Sequence, residues 1–181
     1  DWNNLYDCLN QLKDELRYWF PYKLIQVEKA EADDIIAILV NLIQERTLIL
    51  SSDKDFVQLQ TFNIRQYSPM QKKFVDSESA ERSLHEKIVR GDVGDGIPNI
   101  MSDDNVFVEG RRQRPLSKKK LNELICAGFL YTSLNDEERK NYDRNRKLID
   151  LTCIPQTLEE KIKSEFDNTK VATRDKILNY F

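Results

Sequence analysis

Seven acidic residues in three short clusters are the residues of this 181-residue sequence best suited to carry chemistry. They are Glu31, Asp33 and Asp34 in the first cluster, Asp53 and Asp55 in the second, and Asp92 and Asp95 in the third. Carboxylates that lie close together repel one another and raise one another's pKa, so an ionised cluster needs a compensating cation. No histidine or cysteine accompanies these acids, and ligand sets made only of oxygen favour hard ions. The clusters therefore predict a Mg²⁺ or Mn²⁺ site rather than a zinc site.

A phosphodiester is the substrate that such a site would suit. Two metals about 3.5 to 4 Å apart can activate the attacking water and stabilise the leaving oxygen of an in-line displacement. Each cluster also has a simpler interpretation: EADD fits helix capping, DKD fits a turn or helix cap, and GDVGDG fits a tight turn. Three such clusters in this order are nevertheless hard to attribute to independent capping.

The elements that must position these acids can be predicted from the apolar pattern. Apolar residues recur at helical spacing from Leu5 to Phe20, and Pro21 ends that helix. YKLIQV, residues 22–27, then predicts a short buried strand, EADDIIAILVNLIQE a helix, and TLILSS, residues 47–52, a second buried strand. This order indicates a parallel βαβ unit. Because ligands bind at the carboxyl ends of parallel strands, we expect the first two acidic clusters to converge there.

The rest of the chain predicts a sheet edge followed by helices. NIRQYS and KKFVD are short strand patterns, and helical patterns follow at residues 79–90, 117–127, 135–148, 156–166 and near the C-terminus. Between them, MSDDNVFVEGRRQRPLSKKK is polar and has no clear period, which is typical of a loop or mobile excursion. We therefore predict an α/β part over residues 1–77 and a helical part over residues 78–181, with a polar loop at about residues 101–116.

Basic residues are concentrated rather than abundant. The formal net charge of -3 does not by itself indicate nucleic-acid binding. The candidates for contact with duplex phosphates are Lys72, Lys73, Arg90, Arg111, Arg112, Arg114, Lys118, Lys119 and Lys120. Their alternative interpretation is a solvated face or a loop. No element that reads base sequence is evident, so we expect recognition through the nucleic-acid backbone and its shape.

The cysteines and the overall hydropathy pattern bound the cellular context. Cys8, Cys126 and Cys153 are odd in number, widely spaced and in no Cys-x-x-Cys pair, which favours a reducing cytoplasm. No apolar run reaches the length of a membrane span, and we expect no membrane association. The single histidine, His85, lacks a nucleophile motif and is predicted to be structural.

Three ordered motifs carry a family resemblance. KAEADDIIAILV, LILSSDKDFVQL and VRGDVGDGIPN resemble the structure-specific 5′ nucleases, which comprise the 5′→3′ exonuclease domains of bacterial DNA polymerase I and the flap endonucleases. YSPMQKKFV, VEGRRQRPLSKK and NRKLIDLTCIP are most similar to the T-even phage RNase H branch. The fold implied is a PIN-like parallel-sheet core followed by a helical subdomain with a helix-hairpin-helix-like motif. The activity implied is Mg²⁺-dependent removal of RNA primers or 5′ flaps during phage DNA replication.

The resemblance also implies roles for individual residues. Glu31 and Asp33 match metal ligands, Asp34 an auxiliary ligand, Asp53 and Asp55 the pair that holds the first metal, and Asp92 and Asp95 ligands of the second metal. Gly91, Gly94 and Gly96 match a turn at which backbone amides approach DNA phosphates and a monovalent cation, here expected to be K⁺. Gly96 stands where many relatives carry asparagine. The implied substrates are DNA or RNA-DNA duplexes with 5′ ends or flaps.

The departures from the family pattern concern the start of the chain. The family begins with a strand bearing an aspartate, a second acidic region and a basic helical arch, whereas Asp1 already matches the helix after the arch. We therefore expect the N-terminal part of the active site to be missing, and an N-terminal nuclease subunit in trans or a lost segment to complete it. Further replication proteins are possible partners, and a phage protein would act in the host cytoplasm.

Two other function classes remain open. A non-catalytic DNA-binding subunit or fragment would fit a chain with an incomplete site. An aspartate-nucleophile phosphatase fits DKD and GDVGDG superficially, but its nucleophile should lie on the first strand and a strand should lead into the glycine motif. Here the pattern before Gly91 is helical, which disfavours the phosphatase.

Overall fold

The computed structural model describes residues 1–77, 79–125 and 131–181, and the chain divides into two units. The first unit comprises Asp1–Leu39 and Pro155–Phe181, and the second comprises Val40–Ile154. The functional division between residues 77 and 78 stays a prediction, and Glu78 lies outside the described residues.

The first unit is helical. Helix α1 spans Trp2–Trp19. Asp1 is its N-cap, and the Asp1 carboxylate accepts a hydrogen bond from the Asn3 amide at 3.0 Å. The helix ends before Pro21, as predicted, but none of its residues is buried. Near the C-terminus, α6 spans Gln156–Asn168 and α7 spans Arg174–Leu178. Helix α2, Ala32–Leu42, begins in this unit and ends in the second.

The strand predicted at residues 22–27 is wrong. The three strands among the described residues all lie in the second unit, and this segment belongs to none of them. A strand exists only through hydrogen bonds to a neighbouring strand, so an apolar pattern without a partner does not form one. The segment is held instead by side chains: Lys13 contacts Gln26 at 3.3 Å, and Lys23 contacts the carbonyl oxygen of Phe166.

The second unit contains a small mixed sheet. Strand β1, Thr47–Leu50, pairs in parallel with β2, Ile64–Ser68, and β2 pairs antiparallel with β3, Lys73–Phe74. These three strand predictions are confirmed. The short 3₁₀ helix Lys54–Leu59 lies in the crossover from β1 to β2.

The prediction that strand β1 is a buried strand is only partly correct. Ile49 is buried, whereas the side chains of Leu48 and Leu50 are 51% and 66% exposed. The near-continuous apolar pattern indicated cover on both faces, but in the described residues only one face of this strand is packed.

The helices of the second unit follow the predicted order. Helix α3 spans Ala80–Arg90, α4 spans Lys118–Ile125, and α5 spans Asp136–Ile149. Residues 126 and 127, the predicted end of α4, lie outside the described residues. The core of this unit comprises buried apolar side chains of all three helices, including Ile88, Val89, Leu121, Leu124 and Ile149.

The polar segment 101–117 contains no helix or strand, in agreement with its composition. It is nevertheless anchored to the protein. Ser102 is fully buried and its hydroxyl accepts a hydrogen bond from the Arg114 amide at 2.9 Å, while the side chain of Gln113 accepts one from the Asn99 amide at 2.7 Å. Within the described ranges, no helix has both the length and the apolar character needed to cross a membrane.

Candidate metal centre

Three carboxylates from two distant parts of the sequence meet in the second unit. Asp55, Asp92 and Asp95 each offer a carboxylate oxygen, and these oxygens all lie within 4.8 Å of one another. Asp55 and Asp92 are half-buried, and Asp95 is exposed. The structure thus brings members of the second and third acidic clusters together.

The segment after β1 positions Asp55. The Asp53 carboxylate caps the 3₁₀ helix by accepting a hydrogen bond from the Asp55 amide at 3.0 Å. The buried side chain of Gln66, on β2, donates hydrogen bonds to the carbonyl oxygens of Ser51 at 2.9 Å and Asp53 at 2.5 Å. The helix cap, which was the simpler interpretation of the DKD motif, is therefore present. The Asp53 carboxylate still has lone pairs with which it could bind a metal ion.

A tight turn after α3 positions Asp92 and Asp95. Gly91 has φ of +68° and ψ of -174°, a conformation essentially confined to glycine, and a Cβ there would collide with the backbone of Ile97 and Pro98. The Asp92 carboxylate accepts a hydrogen bond from the Gly94 amide at 2.9 Å. Asp92 and Ile97 then pair across the turn, with the Ile97 amide donating to the Asp92 carbonyl at 2.7 Å. The predicted glycine turn is therefore present, and a helix leads into it.

Helix α5 holds the backbone on both sides of this turn. The buried Asn145 amide donates to the carbonyl oxygens of Ile88 at 2.9 Å and Pro98 at 2.8 Å. One helical turn earlier, Asn141 donates to the carbonyl oxygen of Ile100 at 3.0 Å. The sequence interpretation did not single out these asparagines or Gln66. Their only signal was a polar amide at positions where the apolar pattern predicts burial.

Lys87 is the most prominent residue that the sequence interpretation missed. Its ammonium group forms ion pairs with Asp55 and with Asp92, the latter at 2.9 Å. The hydrogen bond from Lys87 is the largest effect on the pKa of Asp92 and holds it below its ordinary value. Partial burial acts to lower the pKa of Lys87, but the two carboxylates outweigh it and raise that pKa. The available signal was a basic residue in the last helical turn before the glycine motif.

An open cavity of about 900 Å³ adjoins the carboxylates. Its lining includes Asp53, Asp55, Lys87, Arg90, Gly91 and Asp92. Acidic and basic side chains therefore face the same space, as a site that binds both a cation and a phosphate requires.

The first acidic cluster lies in the first unit, at the start of α2. The Asp34 carboxylate accepts a hydrogen bond from the Glu31 amide at 3.0 Å, so the capping interpretation is also present here. Asp33 lies beside Asp34 in the first turn, where negative charge suits the helix dipole. Convergence of this cluster with the other two stays a prediction.

The candidate phosphate-binding residues all lie in the second unit but differ in their engagement. Lys72, Lys73, Arg112 and Lys118 are exposed and form no ion pair among the described residues. Arg90 pairs with Glu86 at 2.7 Å, Arg111 with Glu109 at 2.8 Å, Arg114 with Asp103 at 3.6 Å, and Lys119 with Glu123 at 3.9 Å. Lys120 pairs at 2.7 Å with Glu138, whose side chain is only 5% exposed, which indicates a structural contribution.

The donor set fits a hard divalent cation. Asp55, Asp92 and Asp95 supply only carboxylate oxygens, the ligand type that Mg²⁺ and Mn²⁺ prefer. The ammonium group of Lys87 already lies against two of them, which shows that the cluster accommodates positive charge.

Comparison with protein families decides the affiliation of the chain. The model described as T4 RNase H, C terminal, matches residues 78–181, and the model described as 5′-3′ exonuclease, N-terminal resolvase-like domain, matches residues 4–88. This chain belongs to the T4 RNase H family of 5′ nucleases. The family resemblance inferred from the acidic and glycine motifs is thereby confirmed.

Individual relatives agree with this affiliation. The chain is 35% identical over 192 residues to the ribonuclease H of Enterobacteria phage T4, an alignment that covers 100% of the chain and 63% of the relative. It is 30% identical over 148 residues to the flap endonuclease Xni of Psychromonas ingrahamii, covering 80% of the chain and 50% of the relative. The chain therefore spans between half and two thirds of the length of these relatives.

Solved structures confirm the fold class. A T5 5′-exonuclease structure matches with a TM-score of 0.58 at 18% identity, over 79% of the chain and 68% of that structure. A second T5 5′-exonuclease structure, solved with bound divalent zinc ions, matches with a TM-score of 0.53 at 17% identity, over 80% of the chain and 62% of that structure. The α/β fold predicted for this T4 RNase H family member is accordingly confirmed, although its small sheet is mixed rather than purely parallel.

Proposed function

We propose that this chain carries metal-binding and DNA-binding parts of a Mg²⁺-dependent 5′→3′ exonuclease or flap endonuclease of the RNase H type. Such an enzyme removes RNA primers or 5′ flaps during DNA replication, in the host cytoplasm for a phage protein. The observation that carries the proposal is the convergence of Asp55, Asp92 and Asp95 beside a glycine turn. The names of the two relatives, a ribonuclease H and a flap endonuclease, support it.

The acidic residues would hold the metal. Asp55, Asp92 and Asp95 would bind it through carboxylate oxygens, and Glu31, Asp33, Asp34 and Asp53 would complete a two-metal site. A bound Mg²⁺ or Mn²⁺ supplies Lewis acidity for hydrolysis of the phosphodiester. Because Asp53 also caps the 3₁₀ helix that carries Asp55, it would both orient this segment and contribute oxygen ligands.

The glycine turn and the basic residues would bind the nucleic-acid backbone. Gly96 is exposed and has φ of +72°, and nothing lies within 4 Å of the position that a Cβ would occupy. Together with Gly91 and Gly94, it would allow backbone amides to approach a phosphate and a K⁺ ion. The exposed basic residues Lys72, Lys73, Arg112 and Lys118 would add salt-dependent affinity for the duplex, whereas Lys120 is engaged by Glu138.

A further segment would complete the active site. The chain spans 63% of the length of the T4 relative, which supports a contribution from elsewhere, either the same polypeptide or an N-terminal nuclease subunit in trans. On its own the chain would then be weakly active or inactive. The same fact favours the second candidate function, a non-catalytic DNA-binding subunit.

Cleavage of 5′-flap and nicked duplexes with DNA or RNA 5′ ends tests the proposal. The chain is assayed with Mg²⁺ or Mn²⁺, alone and together with the N-terminal segment that the family pattern leads us to expect. Activity only in the completed protein is expected, with Asp53→Asn abolishing cleavage but retaining DNA binding. Asp136→Asn, which removes a fully exposed acid, is the matched control.

Each alternative has a distinct outcome. Cleavage by the chain alone at the rate of the completed protein would refute the incomplete site. DNA binding by the completed protein without any cleavage would refute the nuclease and favour the non-catalytic subunit. Because asparagine can retain the cap, loss of DNA binding in Asp53→Asn would contradict the proposal that this residue acts only as a cap and a metal ligand.

A further inference from the structure

The ammonium group of Lys87 lies among the carboxylates to which the proposed function assigns a metal. It contacts Asp55 of the 3₁₀ helix and Asp92 of the glycine turn, which are two of the three acids whose oxygens converge. The side chain of Lys87 is 25% exposed, and those of Asp55 and Asp92 are 24% and 28% exposed. These ion pairs are therefore partly shielded from water and are stronger than pairs on an open surface.

The fold brings Lys87 to this position through the break in α3. Lys87 lies in the last turn of α3, and the backbone reverses at Gly91 immediately after the helix ends. Asp92 therefore lies next to the side chain of a lysine that precedes it on the helix. The 3₁₀ helix Lys54–Leu59 packs against α3 and brings Asp55 to the other side of the ammonium group.

The position of Lys87 reduces the repulsion among the three carboxylates. Three carboxylates within 4.8 Å of one another repel, and the repulsion acts most strongly when no metal is bound. The Lys87 ammonium group compensates two of these charges and joins the two segments that carry them. A divalent cation that binds the same oxygens competes with Lys87 for them, because an ammonium group has no lone pair with which to become a ligand.

We propose that Lys87 is an internal counter-cation, which holds Asp55 and Asp92 together without metal and is displaced from them when a divalent cation binds. Metal binding at this centre is then an exchange of one cation for another. Lys87 acts as a positioning residue in the metal-free protein and weakens metal affinity by competition. This inference rests on the proposed metal site.

The test compares Lys87→Met with the wild type in thermal unfolding and in Mg²⁺ and Mn²⁺ binding by calorimetry. Methionine keeps much of the length of the lysine stem but removes the charge. Without metal, the melting temperature of Lys87→Met should fall by several degrees, because the carboxylates repel uncompensated. Its affinity for Mg²⁺ should rise by roughly tenfold, because no ion pair must be broken. Its melting temperature should therefore rise more on metal addition than that of the wild type.

Lys54→Met is the matched control. Lys54 is exposed and adjacent in sequence to Asp55, but no ion pair joins it to the cluster within the described ranges. Its loss changes the net charge by the same amount without removing an ion pair of the part of the chain that the structure describes. A Lys54→Met variant that gains metal affinity as Lys87→Met does would overturn the proposal, since the effect would then be one of net charge.

A second measurement uses the wild type, so that the proposal stays testable if Lys87→Met does not fold. The ammonium resonance of Lys87 is followed by NMR and assigned through its absence in Lys87→Arg. Addition of Mg²⁺ should shift or broaden it as the ion pairs break. An unchanged Lys87 resonance, with metal-induced shifts at Asp92 and Asp95, would overturn displacement.

The failure of this inference can be told from failure of the proposed function. A wild type that neither binds nor is stabilised by Mg²⁺ or Mn²⁺ would remove the metal site itself. A wild type that binds metal, together with a Lys87→Met variant of equal or lower affinity, would retain the metal site and refute Lys87 as its competitor.

Discussion

The side-chain amide of Gln66 donates a hydrogen bond to the carbonyl oxygen of Asp53 at 2.5 Å. The same amide reaches the carbonyl oxygen of Ser51 at 2.9 Å, and Gln66 is 1% exposed. A residue inside β2 thus fixes the path of the backbone that leads from β1 to Asp55. The acidic segment is therefore positioned by the sheet as well as by its own cap.

Replacing Gln66 by methionine should destabilise the protein and disturb the carboxylate cluster. The variant leaves two carbonyl groups without their donor, which costs about 2 kcal/mol of unfolding free energy. Urea denaturation with and without Mg²⁺ measures both effects, and Mg²⁺ should stabilise the variant less than the wild type. Gln71→Met, at an exposed position, is the control. Equal stability of Gln66→Met and wild type would contradict the role of this amide.

Asn145→Leu should loosen the glycine turn. The substitution keeps the branched shape and the number of side-chain heavy atoms but removes the hydrogen bonds to Ile88 and Pro98, and we expect a loss of about 2 to 3 kcal/mol. Amide hydrogen exchange should accelerate at Ile97, whose amide closes the turn. Lys147→Ala, on the exposed side of α5, serves for comparison and should leave the exchange rate unchanged. Normal protection of the Ile97 amide in Asn145→Leu would contradict the proposal that Asn145 holds the glycine turn in place.

Gly91→Ala and Gly96→Ala form a matched pair with different expected costs. Both glycines have positive φ, but a Cβ at Gly91 meets the backbone of Ile97 and Pro98, whereas a Cβ at Gly96 meets open space. Gly96→Ala should cost about 1 to 2 kcal/mol from backbone strain alone. Gly91→Ala should cost more, on the order of 3 kcal/mol or above, because the backbone must also move. Chemical denaturation distinguishes the two, and equal losses would show that the collision is relieved at no cost.

Asp150 should contribute to the loss of stability in acid. Burial acts to raise the pKa of its carboxyl, but hydrogen bonds from Thr152 and Arg146 outweigh it and hold the pKa below its ordinary value. The stabilisation is therefore fully present above the ordinary aspartate pKa of about 3.9 and is lost as pH falls through the lower folded-state pKa.

Asp150→Asn should therefore reduce the dependence of stability on pH in this acidic range. The check is the free energy of unfolding in urea between about pH 5 and pH 2. Asp136→Asn, at a fully exposed carboxylate, should retain the pH dependence of the wild type. If the free energy of unfolding of Asp150→Asn fell with decreasing pH as steeply as that of the wild type, groups other than Asp150 would cause the acid sensitivity.

Asp95→Asn should separate metal binding from the stability of the metal-free protein. Asp95 is exposed, and in the metal-free cluster its charge adds repulsion to Asp55 and Asp92. The variant should therefore unfold at the same or a slightly higher temperature than the wild type in EDTA, but gain less from Mg²⁺. Calorimetric scans in both conditions provide the measurement. A large loss of stability in EDTA would indicate that Asp95 has a structural role instead.

The sequence predicted the helices and the sheet edge well because these depend on local periodicity. The helix from Ala80 and the turn at Gly91 were both readable, since a helical pattern and three clustered glycines are local signals. The strand predicted at residues 22–27 failed because a strand depends on a partner that lies elsewhere in the chain. The burial of β1 was overestimated because packing against its second face also depends on residues that are distant in sequence.

The acidic residues of the candidate site could be predicted from the sequence, but the residues that position them could not. The types and spacing of Asp55, Asp92 and Asp95 indicated a cation, and these three residues do meet. Lys87 stands in the last helical turn before the glycine motif, but its ion pair with Asp55 and the hydrogen bonds of Asn145 join residues that are distant in sequence. Those contacts depend on the packing of α3 against its neighbours, which the sequence pattern does not define.

Strand β1 has a practical consequence for work with this chain. In the described residues it pairs with β2 on one side only, and Leu48 and Leu50 are exposed on it. An unpaired apolar edge is a template for non-native strand addition, and this edge carries none of the lysines or prolines that commonly protect one. Self-association through strand addition at this edge is therefore expected to increase with the concentration of the chain.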